Sequence, residues 1–102
     1  MPNQFKVISP VDGSVVVERP EATPAQIARS LDAAQTAVHH WRQTAVAERV
    51  AVVSKAMDWM HDHREEIART ITMTMGRPAK WAGGEVDGMV GRAQCMMALA
   101  EP

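Results

Sequence analysis

Cys95, four histidines and the glycines of "MGRPAKWAGGEVDGMVG" are the residues of this chain whose types could do chemistry. A cysteine becomes a nucleophile when a helix N-terminus or a cationic neighbour lowers its pKa. Cys95 falls mid-helix between Gln94 and Met96, which reads as a small core or near-surface residue. Histidines on a helix share a metal when they stand three or four apart, so that both rings lie on one face. His39 and His40 are adjacent, and His61 and His63 are two apart, so each pair reads as a solvated helix face or helix end. Seven methionines, Met57, Met60, Met73, Met75, Met89, Met96 and Met97, could form a soft, adaptable surface. At helical spacing they read as core filler.

The glycines invite a phosphate-binding reading. A dinucleotide fingerprint needs a strand, a glycine-rich turn and then a helix. Gly83, Gly84, Gly88 and Gly91 give the order G-G-x-x-x-G-x-x-G, after a proline-started helical turn. A P-loop needs Lys and Ser or Thr after its last glycine, and Met89 and Val90 stand there instead. The better reading is close packing, with Gly84, Gly88 and Gly91 near one face and open to another backbone. The residues alone therefore assign no catalytic, cofactor-binding or metal-ligating side chain.

The elements that would position these groups follow from periodicity. Val7, Val15 and Val17 alternate on either side of Asp12-Gly13, a pair suited to a tight reversal, which predicts a β-hairpin over residues 5–18. Two strands alone are marginal, so the ribbon must lie on something else. A first helix is expected from Thr23, with Pro24 at its first position and Gln26 completing a capping box. Ile27, Leu31, Ala34, Val38 and Trp41 then share one face. Thr44 is a candidate cap for a second helix carrying Val46, Val50, Val53, Met57 and Met60. Asp62 with Glu65 reads as a further capping arrangement that bends or restarts the helix. A third helical run carries Ile67, Ile71 and Thr74 and stops at Gly76. Pro78 can open a fourth helix with Val86, Met89, Val90, Ala93, Met97 and Ala100 on its inner face. The expected fold is mainly α, with about four helices over residues 23–100 and one N-terminal hairpin, in a single segment spanning 1–102.

Composition narrows the function classes. A length of 102 residues suits one small core. With one Phe and no Tyr, that core must be built from Met, Val, Ile, Ala and three Trp. A net charge of -1 gives no global attraction to nucleic acid or anionic lipid. No apolar run has the length of a membrane span, and "MPNQFKVISP" has no secretion-signal pattern. One Cys makes no internal disulfide, which fits a reducing, cytoplasmic setting. The expected partners therefore exclude nucleic acid and membrane.

Three stretches in order resemble the N-terminal region of the NAD(P)-dependent aldehyde dehydrogenase superfamily. "TMTMGRP" followed by a helix with "GEV" is similar to the family's helix ending T-x-E-x-G-K-P. "SPVDGSVVVERP" resembles its N-terminal hairpin, and Trp41, Glu48 and Arg49 resemble its W-x(n)-E-R pair of helices. The resemblance runs from about Ile8 to Ala100. Thr74 stands where the family usually has a carboxylate, and Arg77 replaces Lys.

The resemblance implies an N-terminal portion of a cofactor-binding domain without its Rossmann-type sheet. Family members are several times longer and oxidise an aldehyde with NAD or NADP through a cysteine thiolate and a glutamate-activated water. Those groups are expected outside this segment, so it is expected to hold no catalytic residue, no cofactor site and no metal, and to be inactive alone. It also implies that Met89 lines a substrate tunnel, and that the partner is the remainder of a longer chain, or a second copy in a homo-oligomer. The rival expectation is a stand-alone, self-associating helical module. A small-ligand binder is a third reading, for which no convergent polar groups are visible in the sequence.

Overall fold

The computed structural model describes residues 3–100 and has, among them, a two-stranded hairpin followed by four helices. The elements are β1 (Gln4–Ile8), β2 (Val15–Pro20), α1 (Pro24–Trp41), α2 (Val46–Asp62), α3 (Arg64–Met75) and α4 (Ala79–Ala100). The expected mainly helical class, with its hairpin and four helices, is what the chain adopts.

The hairpin is longer than residues 5–18, because antiparallel pairing runs outward from Val7↔Val17 to Gln4↔Pro20. A bulge lies between Val7 and Ile8, since Ile8 pairs with Val15. Lys6 and Glu18 face each other in register and form an ion pair at 3.1 Å. At the reversal Gly13 takes φ 76°, and its N–H donates to the Ser9 carbonyl at 2.9 Å. Asp12 Oδ1 accepts from both the N–H and the hydroxyl of Ser14. These bonds hold the Asp12 carboxyl below its usual range, the hydroxyl bond of Ser14 contributing most.

Helix α1 starts as its sequence dictates. Thr23 Oγ1 accepts from the Gln26 N–H at 3.2 Å, and Gln26 Oε1 accepts from the Thr23 N–H at 2.8 Å. Helix α2 starts differently. Its N-cap is Ala45, without a side-chain bond, and the Thr44 hydroxyl donates back to the His40 carbonyl at 3.2 Å. The hydroxyl closes the end of α1 rather than opening α2. Between α2 and α3 the N-cap is His63, again without a side-chain bond, so the break comes without the Asp62–Glu65 box. The His63 ring stacks on Trp59 with centroids 3.9 Å apart, and its Nδ1 donates to the Trp59 carbonyl at 2.8 Å.

Helix α3 ends where expected. Gly76 is left-handed, φ 76°, and its N–H donates to the Thr72 carbonyl. Pro78 lies one position before α4, and its carbonyl accepts from Trp81 and Ala82.

Helix α4 packs on both α3 and α2. Ala82, Gly83 and Val86 turn inward and are buried, as is Ala68 of α3 opposite them. Val90, Ala93 and Met97 continue this line half-buried, whereas Met89 and Ala100, expected on the inner face, are exposed. The small residues at the crossing let the two helices approach closely.

The molecule is flat, with extents of 48 × 40 × 17 Å and a Cα radius of gyration of 17.8 Å. A compact domain of this length has a radius near 13 Å. The accessible surface is 8057 Å², against about 5,700 Å² for a compact protein of 11.2 kDa. About half of the surface of the unfolded chain is buried, less than even a 60-residue domain achieves. The exposed apolar side chains include Ile27, Leu31, Val38 and Trp41 of α1 and Val46, Val53, Met96 and Leu99 of α2 and α4.

Candidate functional site

The joint between α3 and α4 gathers the residues that looked most like a binding loop. Gly83, Gly84, Gly88 and Gly91 all lie within α4 and not at a strand-to-helix turn. The glycine that is packed is Gly83, not Gly84, Gly88 or Gly91. A Cβ on Gly83 would overlap the guanidinium of Arg64, while at the other three there is open space. The expected close backbone approach along Gly84, Gly88 and Gly91 is absent because those residues sit on the outer side of α4. Gly83 faces α3, and there it makes room for a side chain.

Arg64 uses that room. Its Nε and Nη2 donate to the two carboxylate oxygens of Asp87, each at 2.8 Å, and Nη1 reaches Glu65. This bidentate pair ties the first residue of α3 to the third turn of α4. The bonds to Asp87, then those to Glu65, push the Arg64 pKa up. The Arg64 bonds, ahead of its charge, hold Asp87 below the usual carboxylate range. A second pair, Arg77–Glu85 at 2.8 Å, spans the Pro78 corner. The Asp87 carboxylate is thus stabilised as an anion by a guanidinium. That is the electrostatics of a structural clasp, not of a general acid.

A dinucleotide does not fit these residues. Gly83 is covered by Arg64, the helical N–H groups of α4 are used within the helix, and the described sheet is a two-stranded hairpin with no crossover helix. Among the described residues no group of three or more His, Cys, Asp or Glu side chains converges on a point where a metal ion could sit. Cys95 is free and exposed on α4. His39 and His40 occupy the exposed last turn of α1. No helix among the described residues is long and apolar enough to cross a membrane.

An apolar groove of about 390 Å³ lies between α2 and α4. Val46, Val50 and Val53 line one wall, Met96 and Met97 the other, and Trp41 closes one end. Arg49 is the charged residue among its liners, and its Nε is buried with no hydrogen-bond partner among the described residues. Periodicity alone did not mark Arg49, because a cation beside a valine stripe reads as a solvated edge. Met89 lies outside this groove and is 38% exposed.

Against known proteins the chain gives one consistent answer. The model of the aldehyde dehydrogenase family matches residues 1–102. The chain is 32% identical over 82 residues to 3,6-anhydro-alpha-L-galactose dehydrogenase of Streptomyces coelicolor, covering 80% of this chain and 17% of that one. It is 35% identical over 81 residues to malonate-semialdehyde dehydrogenase of Listeria monocytogenes, covering 79% and 17%. In three dimensions it overlays the crystal structure of an NAD-dependent benzaldehyde dehydrogenase from Corynebacterium glutamicum with a TM-score of 0.89 at 26% identity, covering 96% of this chain and 21% of that chain. The chain thus spans about a fifth or less of the length of the relatives it matches. The hairpin and four helices overlay a part of that larger fold, and the chain belongs to the aldehyde dehydrogenase family.

Proposed function

We propose that this chain is the N-terminal structural segment of an NAD(P)-dependent aldehyde dehydrogenase, a single unit within the cofactor-binding domain. The complete enzyme oxidises an aldehyde to a carboxylic acid. This segment braces that reaction centre and supplies none of the reacting groups. The observation that carries the reading is the combination of family match and open shape. Relatives are about five to six times longer than the matched part, and this chain exposes about 2,400 Å² more than a compact protein of its mass.

Its residues act by positioning. The Arg64–Asp87 clasp and the Pro78 corner fix α3 against α4, which sets the angle at which the α2–α4 groove meets further polypeptide. Burying the groove would give Arg49 Nε an acceptor, for which a backbone carbonyl or carboxylate suffices. Met89, exposed on α4, borders the substrate tunnel in this reading. The setting is cytoplasmic, and the working enzyme is a homo-oligomer.

Sequencing the coding region beyond codon 102 tests the reading. A continuing frame with a cysteine nucleophile motif supports it. A stop codon there, together with cofactor-dependent aldehyde oxidation by the pure chain, would overturn it.

A second reading is favoured by the same excess surface. Standing alone, the chain works as a self-associating helical module, its apolar faces covered by another copy.

A further inference from the structure

We infer that Asp12–Gly13 is a site of spontaneous backbone modification, where the chain isomerises to isoaspartate, and that the fold withholds the same chemistry from Asp87–Gly88. The inference concerns the chain's own backbone and stands apart from what the complete enzyme oxidises.

The sequence holds two Asp-Gly pairs, Asp12–Gly13 and Asp87–Gly88, each preceded by Val. In such a pair the glycine nitrogen can attack Cγ of the aspartate, because no Cβ on the glycine hinders the approach. A bond forms between that nitrogen and Cγ, a carboxyl C–O bond breaks, and the carboxyl hydroxyl leaves with the amide proton as water. Water then reopens the five-membered succinimide. Opening at the main-chain carbonyl carbon of the aspartate leaves the chain running through Cβ and Cγ, with a free α-carboxylate. Nothing is oxidised or reduced, and the mass is unchanged.

The structure separates two pairs that the sequence makes equal. Asp87–Gly88 lies in the third turn of α4. A helical ψ of about −42° does not present the next nitrogen to the side-chain carbon. The two Asp87 oxygens also accept from Arg64 Nε and Nη2 at 2.8 Å each, which draws the carboxyl toward α3 and away from its own backbone. Reaction there must first break the clasp and open a helical turn.

Asp12–Gly13 stands in the exposed reversal of a two-stranded ribbon, with Gly13 at φ 76°. Asp12 Oδ1 accepts from the Ser14 N–H at 3.0 Å and from the Ser14 hydroxyl at 2.7 Å. These bonds fold the carboxyl forward along the chain, over the peptide whose nitrogen must attack. That nitrogen is held by one bond, its N–H donating to the Ser9 carbonyl at 2.9 Å. The turn of a two-stranded ribbon opens at far lower cost than a helix interior. Isomerisation adds one carbon to the main chain inside the reversal, so it breaks the match between Ser9 and Gly13 and loosens the hairpin.

Incubating the 102-residue chain for several weeks in warm buffer, with and without guanidinium chloride, tests this. Peptide mapping with electron-transfer fragmentation reads isoaspartate at each pair. In native buffer it should accumulate at Asp12 at least about tenfold faster than at Asp87, where a helical turn must open first. In guanidinium chloride the two rates should converge. Asp12→Glu, which lengthens the side chain by one methylene, should abolish the signal in the hairpin peptide. Equal rates in native buffer, or no isoaspartate at Asp12, would overturn the proposal. So would an Asp87 that stays slow in guanidinium chloride, since its protection would then owe nothing to the fold.

Discussion

Pro10 of the hairpin turn lies over Gly76 at the end of α3, with its Cγ only 2.8 Å from where a Cβ on residue 76 would stand. The contact explains how a two-stranded ribbon persists beside the helices. Ser9, next to Pro10, is buried, and its hydroxyl accepts from the Val11 N–H. The glycine that stops the helix is therefore also the seat of the hairpin.

Gly76→Ala should destabilise the fold by at least about 1–2 kcal/mol, the ordinary penalty for a left-handed alanine, before its overlap with the Pro10 ring is counted. Gly88→Ala, in open space within α4, should instead stabilise by about 1 kcal/mol. Urea unfolding of the two variants reads the opposite signs directly.

Acid should loosen the α3–α4 clasp. The Asp87 carboxyl titrates below its usual range in the folded chain, chiefly through its bonds from Arg64. A depressed carboxylate contributes stability that is complete above the unfolded pKa, near 3.9, and is lost as pH falls through the lower folded value. Asp12 acts in the same direction through Ser14. Melting temperature should therefore fall as pH is lowered from about 5 toward 2, and Asp87→Asn should have a lower melting temperature at neutral pH and a shallower acid dependence.

Thr23→Ala removes one half of the capping box of α1 and should cost about 1 kcal/mol. Because α1 is exposed throughout, the loss should appear as reduced helical ellipticity in dilute solution, before any global unfolding.

Local chemistry was legible in the sequence and long-range geometry was not. The Thr23–Gln26 box, the Gly76 stop and the Asp12-Gly13 reversal are decided within a few residues, and each formed where its residues stand. Thr44 and the Asp62–Glu65 pair carry cap chemistry too, yet the chain used Thr44 to close α1 and left His63 uncapped. A hydroxyl beside two helix ends can serve either, and the tertiary path decides. The glycines of α4 show the same limit. Spacing says which of them share a face but not which face turns inward. That was settled by Arg64, far away in sequence, reaching over Gly83. The α2–α4 groove and the buried Arg49 Nε depend on where two helices meet, which no local pattern encodes.

Cofactor reduction by the pure 102-residue chain tests most directly whether this segment only braces a reaction centre. With NAD or NADP and an aldehyde such as benzaldehyde, absorbance at the reduced-nicotinamide band should stay at the level of buffer, and Cys95→Ser should change nothing. Steady reduction that disappears in Cys95→Ser would contradict the account.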